Sequence, residues 1–299
     1  MGFAEFVALT AAMQSMTALT IDAMLPALPE IGRDLGTSHP NDVQLVVLIM
    51  LLGFGLGQIL YGPVSDSIGR KPPIYAGLVI YALGGLVCIF SETLFIMLCG
   101  RFLQGIGIAS PRIVMNAVIR DRYKGPEMAR VMSFVMAVFI LVPVIAPSIG
   151  QVILIFFNWE AIFWMFLITA LLVCIWFSIR LDETLLPESR QPLSFRKIRN
   201  GMIEVLKTRT ALGYTLATGF LFSPFVGLSQ FLTTDICGWI WEKRRISASL
   251  CFTGTDLWGR LPGQCKTGLP LRFEKALFPK CLRDHWLIRH LLAGNSRDG

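Results

Sequence analysis

Charge is scarce in this sequence. Asp, Glu, Lys and Arg make up 16% of its 299 residues, where soluble domains average about 25%. The shortage is matched by 54% hydrophobic residues and a mean hydropathy of +0.61. A soluble fold would have to bury nearly all of that apolar surface, which a chain of this size cannot do. A disulfide scaffold is excluded as well. The seven cysteines are odd in number and widely spaced, and Cys88, Cys99 and Cys174 lie inside apolar runs. The start, Met1-Gly2-Phe3-Ala4-Glu5, has no basic n-region, so no cleavable signal peptide is expected. No Walker-type phosphate loop occurs, which argues against an ATP-driven pump. No nucleophile set or metal set stands out either, so neither an enzyme nor a cofactor is expected. What remains is an all-α integral membrane protein.

Apolar runs of about 20 residues mark transmembrane helices. Six are expected near Phe3–Leu25, Val43–Tyr61, Ile74–Phe90, Leu94–Ile119, Val131–Ile155 and Trp159–Ile179, with a weaker seventh at Ala211–Leu232. Residues 1–182 thus read as a six-helix unit, 183–210 as a basic linker, 211–232 as a seventh span and 233–299 as a tail. Lys and Arg are retained on the cytoplasmic side. Arg70 and Lys71 follow the second run; Arg120, Arg122, Lys124 and Arg130 follow the fourth; Arg190, Arg196, Lys197 and Arg199 follow the sixth. The opposite loops hold Arg33 among Glu30, Asp34, Asp42, Glu92 and Glu160. The N-terminus is therefore expected in the cytoplasm. Six helices followed by a longer basic loop match one half of a transporter whose two halves rock about a central site.

Between the second and third runs stands Gly62-Pro63-Val64-Ser65-Asp66-Ser67-Ile68-Gly69-Arg70-Lys71-Pro72. Its glycines allow a tight turn and close helix approach. An acid at a helix end can latch onto an Arg or a helix N-terminus. The segment resembles the major facilitator signature G-x-x-x-D-R-x-G-R-(R/K)-P at Gly62, Asp66, Gly69, Arg70, Lys71 and Pro72, with Ser67 departing from it. The fourth run carries Arg101-Phe102-Leu103-Gln104-Gly105-Ile106-Gly107. An Arg at that depth costs roughly 2.5–3.5 kcal/mol on insertion scales and should face a wet cavity or a partner. This stretch resembles the family's R-x-x-Q-G-x-G motif, and the resemblance implies a proton-coupling role for Arg101 beside Gln104. Arg112 is a second candidate, for which reaching toward the membrane surface is the competing explanation.

The fifth run holds Pro143, Ala146, Pro147 and Gly150, resembling the antiporter motif G-x-x-x-G-P-x-x-G with Ala146 in place of one glycine. Small residues with proline bend a helix and let it pack closely. Asp22-Ala23-Met24-Leu25-Pro26-Ala27-Leu28-Pro29 is similar to the D-x-x-L-P-x-x-P signature of twelve-helix drug:proton antiporters. Two readings of Asp22 stand, a titrating carboxyl in a cavity and a solvated helix end. Together these features are most similar to the bicyclomycin/chloramphenicol-resistance branch. That resemblance implies a proton-coupled exporter of small lipophilic or amphipathic compounds in a bacterial inner membrane. Its partners are then substrate, protons and lipid, with no metal and no nucleic acid. The alternatives are an uptake symporter on the same fold and an inactive half-transporter.

The tail differs in kind. From Asp235 onward there are 11 Lys+Arg against 6 Asp+Glu, so most of the formal +7 lies there. The family resemblance runs over roughly residues 5–228. Cys281, His285 and His290 are spaced superficially like a zinc finger, but no close Cys pair accompanies them. A shifted reading frame explains the tail better. One base forward, Trp239-Ile240, Trp241-Glu242 and Trp258-Gly259 each force Gly, because Trp has a single codon. The stretch Arg272-Phe273-Glu274-Lys275-Ala276 can then read G-L-K-K, like the basic turn that the family repeats in its second half. A C-terminally truncated, frameshifted chain without its second half is the expectation.

Overall fold

In lipid every backbone N–H and C=O must find its partner within the segment, so apolar runs of this length become helices. The computed structural model describes residues 1–231 apart from 38, 40, 186, 187 and 189, and among these every regular element is helical. Helix α1 is Phe3–Asp22, and short 3-10 turns link it to α2, Leu28–Asp34. Then follow α3 (Leu45–Ile68), α4 (Lys71–Ile89), α5 (Leu94–Arg122), α6 (Gly125–Phe156) and α7 (Glu160–Arg180). Two further helices are α8, Phe195–Lys207, and α9, Arg209–Phe231.

Six stretches are long and apolar enough to cross a membrane: Phe3–Asp34, Asp42–Ile68, Lys71–Ile89, Leu94–Arg122, Gly125–Phe156 and Glu160–Arg180. They coincide with the six expected runs. The helix beginning at Gly125 starts earlier than the apolar run that announced it, since Pro126 fits the first turn and needs no N–H partner there. Helix α9 falls on the expected seventh span but is not among the six. Leu232 and the tail 233–299 lie outside the described residues.

Helix α5 is the hub. It lies along both α3 and α4 and also touches α1 and α6, while α1 packs on α6 and α4 on α7. Close approach is built into the sequence at Gly105, where an added Cβ would collide with the Met50 carbonyl oxygen on α3. Helices α1 and α5 are the most enclosed of the six spans and α6 the least. Ile140, Val144 and Phe156 of α6 are exposed apolar side chains.

Short turns alternate the ends of the spans. At one end the Arg180 guanidinium pairs with Glu5, and Arg70 pairs with Asp121. At the other, Trp159 Nε1 donates to Asp34 Oδ2 at 2.8 Å. The basic turns therefore gather with the N-terminal residues, and the acidic loops gather opposite.

Candidate functional site

The α3–α4 turn is the most heavily bonded feature of the basic end. Gly69 closes α3 with φ +110°, a conformation that side chains other than glycine rarely adopt. That turn throws Arg70 back over the end of α3. Its Nη1 reaches Asp66 Oδ1 at 2.5 Å and Ser65 Oγ at 2.9 Å, and its Nε reaches Asp121 Oδ2 on α5 at 2.8 Å. The Arg70 side chain is 7% exposed, Asp121 23% and Asp66 55%. Burial works against the Arg70 charge, but the bonds to Asp121 and Asp66 outweigh it and hold its pKa above the usual value.

Glu183 completes the turn from the far side, just past α7. Its Oε1 accepts from the backbone N of Arg70 at 2.8 Å and its Oε2 from that of Lys71 at 3.0 Å. These are the unpaired amides at the start of α4, where a carboxylate also meets the favourable end of the helix dipole. Partial burial alone would raise the Glu183 carboxyl. The amides of Lys71, Arg70, Leu185 and Thr184 together take it below the ordinary range. Gln191 N also donates to Asp66 O at 2.9 Å, and Thr184 Oγ1 to Asp121 Oδ2 at 3.3 Å. Lys71 Nζ lies 5.8 Å from the Phe177 ring centroid. Of the motif residues, Gly62 alone meets open space: a Cβ there would find nothing within 4 Å.

Glu183 was not singled out by its sequence. The signal available was an Asp-Glu-Thr triplet immediately after the last apolar run, at the head of a basic linker.

Arg101 and Gln104 are both fully buried, one turn apart on α5. Arg101 Nη1 donates to Gln104 Oε1 at 2.9 Å, and the guanidinium lies 5.1 Å from the Phe163 ring centroid. Arg101 Nε and Nη2 and Gln104 Nε2 have no hydrogen-bond partner. No carboxylate is paired with Arg101 among the described residues. Close by, Thr20 Oγ1 and Tyr81 OH are hydrogen-bonded at 2.8 Å. A positive charge is thus enclosed with more donors than acceptors, an arrangement that is costly unless an anion or water visits it.

The fifth-run motif meets the end of α1. Pro143 and Pro147 sit within a continuous α6, and Ala146 and Gly150 are buried. A Cβ on Gly150 would strike the Ala23 carbonyl oxygen and lie 3.2 Å from Pro26 Cγ. The two proline-containing motifs, far apart in sequence, therefore form one joint. Asp22 sits at that joint, half-buried, with no ion pair or hydrogen bond to its carboxylate among the described residues. Arg101 and Asp22 are not brought into contact.

A family model described as Major Facilitator Superfamily matches residues 10–249, beyond the end at residue 228 that the sequence motifs led one to expect. An uncharacterized MFS-type transporter, YdgK of Bacillus subtilis, is 35% identical over 225 residues, covering 74% of this chain and 56% of that protein. A bicyclomycin resistance protein homolog of Haemophilus influenzae is 35% identical over 213 residues, covering 71% and 52%. The multidrug resistance protein MdtL of Shigella dysenteriae is 30% identical over 223 residues, covering 73% and 55%. The chain spans about half the length of these curated relatives. Among solved structures, a peptide transporter POT in complex with sulfate superposes with TM-score 0.55 at 13% identity, covering 79% of this chain and 48% of that one. That likeness concerns the fold alone.

Proposed function

The chain belongs to the Major Facilitator Superfamily, and on that premise we propose that its six spans are the N-terminal half of a proton-coupled exporter of small lipophilic or amphipathic compounds. It lies in a bacterial inner membrane with the N-terminus in the cytoplasm. The observation that carries this reading is the joint between α1 and α6, where Gly150 packs against the Ala23 carbonyl and Pro26, next in the chain to the unpaired carboxylate of Asp22. A half-buried carboxylate without a counter-charge is suited to taking up and releasing a proton. The proline-and-small-residue packing beside it seals the neighbouring helices against leakage. Arg101, held by Gln104, supplies a buried positive charge on the same transport pathway. Arg70, Asp66 and Asp121 hold the α3–α4 turn closed until the bundle rearranges. The names of the Haemophilus and Shigella relatives support drug efflux as the activity.

The test is accumulation of a neutral lipophilic dye, Nile red, by bacteria producing the protein. Producing cells are expected to hold less dye than controls, a protonophore to erase the difference, and Asp22→Asn to erase it with membrane protein unchanged. Accumulation that rises with the proton gradient would assign uptake instead. Efflux seen only when a second six-helix half is co-produced would place the activity in the paired form.

A further inference from the structure

A second uncompensated cation lies in the bundle, apart from Arg101, the Asp22 joint and the α3–α4 turn. Arg112 sits on α5, ten residues before the helix ends at Arg122. The residue is half-buried there. Its side chain turns to α6, where Cζ lies 4.0 Å from the ring centroid of Phe139. Arg112 Nη1 is enclosed and has no hydrogen-bond partner. Among the described residues no carboxylate pairs with it.

One turn further along α5, Asn116 faces α1. Gln14 is fully buried there and its Nε2 donates to Asn116 Oδ1 at 2.9 Å, while Gln14 Oε1 is left without a donor. Two contacts one turn apart along α5 thus carry complementary groups: a cation without a counter-charge over an aromatic face, and an amide pair with a free buried acceptor. Leaving one enclosed guanidinium nitrogen and an amide oxygen without partners is unfavourable, and water or a ligand can supply what the protein withholds.

We propose that Gln14, Arg112, Asn116 and Phe139 form a ligand subsite for an amphipathic organic anion. The acidic group pairs with the Arg112 guanidinium, its planar apolar body lies along Phe139, and a hydroxyl or N–H of the ligand donates to Gln14 Oε1. Arg suits the task because its planar fork binds a carboxylate or sulfonate through two parallel bonds while its face stays stacked. This deepens the export reading by naming the class of cargo, and rests on it only for the direction of transport.

The test is equilibrium binding, which needs no proton gradient. The full chain in zwitterionic phosphatidylcholine vesicles is titrated with 3-hydroxy-2-naphthoate, with its neutral amide and with 2-naphthylmethylammonium. The wild-type chain is expected to bind the anion at least tenfold more tightly than the amide, and the ammonium least. Arg112→Gln should bring anion and amide within about threefold of each other, and Arg112→Lys should retain part of the preference. Gln14→Leu should weaken both hydroxylated probes alike. In the unmodified chain, the anion but not the amide should protect Arg112 from phenylglyoxal, a readout that requires no variant to fold. Equal binding of anion and ammonium, or protection by the amide as well, would overturn the subsite. Anion preference without protonophore-sensitive efflux would keep the subsite and remove the export reading; efflux without anion preference would do the reverse.

Discussion

Arg70 and Glu183 are 113 positions apart, yet the backbone N of Arg70 donates to Glu183 Oε1 at 2.8 Å. The carboxylate takes the next amide too, that of Lys71 at 3.0 Å. A residue beyond the sixth span therefore caps the helix that begins the third. The link ties the end of α7 to the α3–α4 turn.

This cap depends on pH with a definite sign. The Glu183 carboxyl is held below its ordinary value of 4.5, so its contribution is fully present above that value and is lost as pH falls through the lower, folded pKa. Protease cleavage within 184–194 is expected to be slow at pH 7 and to accelerate in that acid window. Glu183→Gln should be cleaved quickly at both. A Gln variant as resistant as the wild type would remove Glu183 from this role.

Arg70 is the more costly residue to lose. Asp66 is 55% exposed and Asp121 23%, so solvent screens both carboxylates and the loss of their bonds to Arg70 costs about 1–2 kcal/mol. Arg70→Ala should lower the melting temperature in detergent by several degrees, and Arg70→Lys should recover only part of it. A point charge cannot bond Asp66, Ser65 and Asp121 together as the guanidinium does.

Two glycines of the recognised motifs should behave oppositely. Gly105→Ala places a methyl against the Met50 carbonyl oxygen and must separate α3 from α5, costing about 1–3 kcal/mol. Gly62→Ala meets open space and should stay within about 0.5 kcal/mol of the parent. Thermal unfolding of the two variants side by side checks this.

Arg101 separates stability from function. It is fully buried, with two of its nitrogens unbonded. Removing a buried charge that lacks a counter-charge relieves its desolvation cost, which offsets the lost bond to Gln104. Arg101→Met should therefore melt no lower than the parent while dye efflux disappears. Retained efflux in a well-folded Arg101→Met protein would remove Arg101 from the transport pathway.

Orientation is open to cysteine labelling. A single cysteine at position 33 should react with a membrane-impermeant maleimide in intact cells, and one at 122 only after permeabilisation. The reverse pattern would place the α3–α4 turn on the outer face and end its assignment as a cytoplasmic gate.

The six spans were legible from composition alone, because lipid admits almost nothing but continuous helices where about 20 apolar residues stand together. The basic turns were legible for the same kind of reason: most charge sits at the ends of such helices, so Arg70, Arg120, Arg122 and Arg180 had few places to be. Asp22, Arg101 and Gln104 stood out because polar groups inside apolar runs are rare. Their partners did not. Nothing local marks Glu183 as the cap of α4, Ala23 as the seat of Gly150, or Phe139 as the ring over Arg112. Those pairings lie between residues on different helices, and a helix interior is apolar on every side, so its sequence does not say which face meets which neighbour. The hydrophobic pattern determined where the six spans run, but neither the early start of α6 at Gly125 nor the short helices α2 and α8. Close packing, through glycine contacts and a few hydrogen bonds among many near-equivalent apolar faces, decided which helices touch and which polar groups were left without partners.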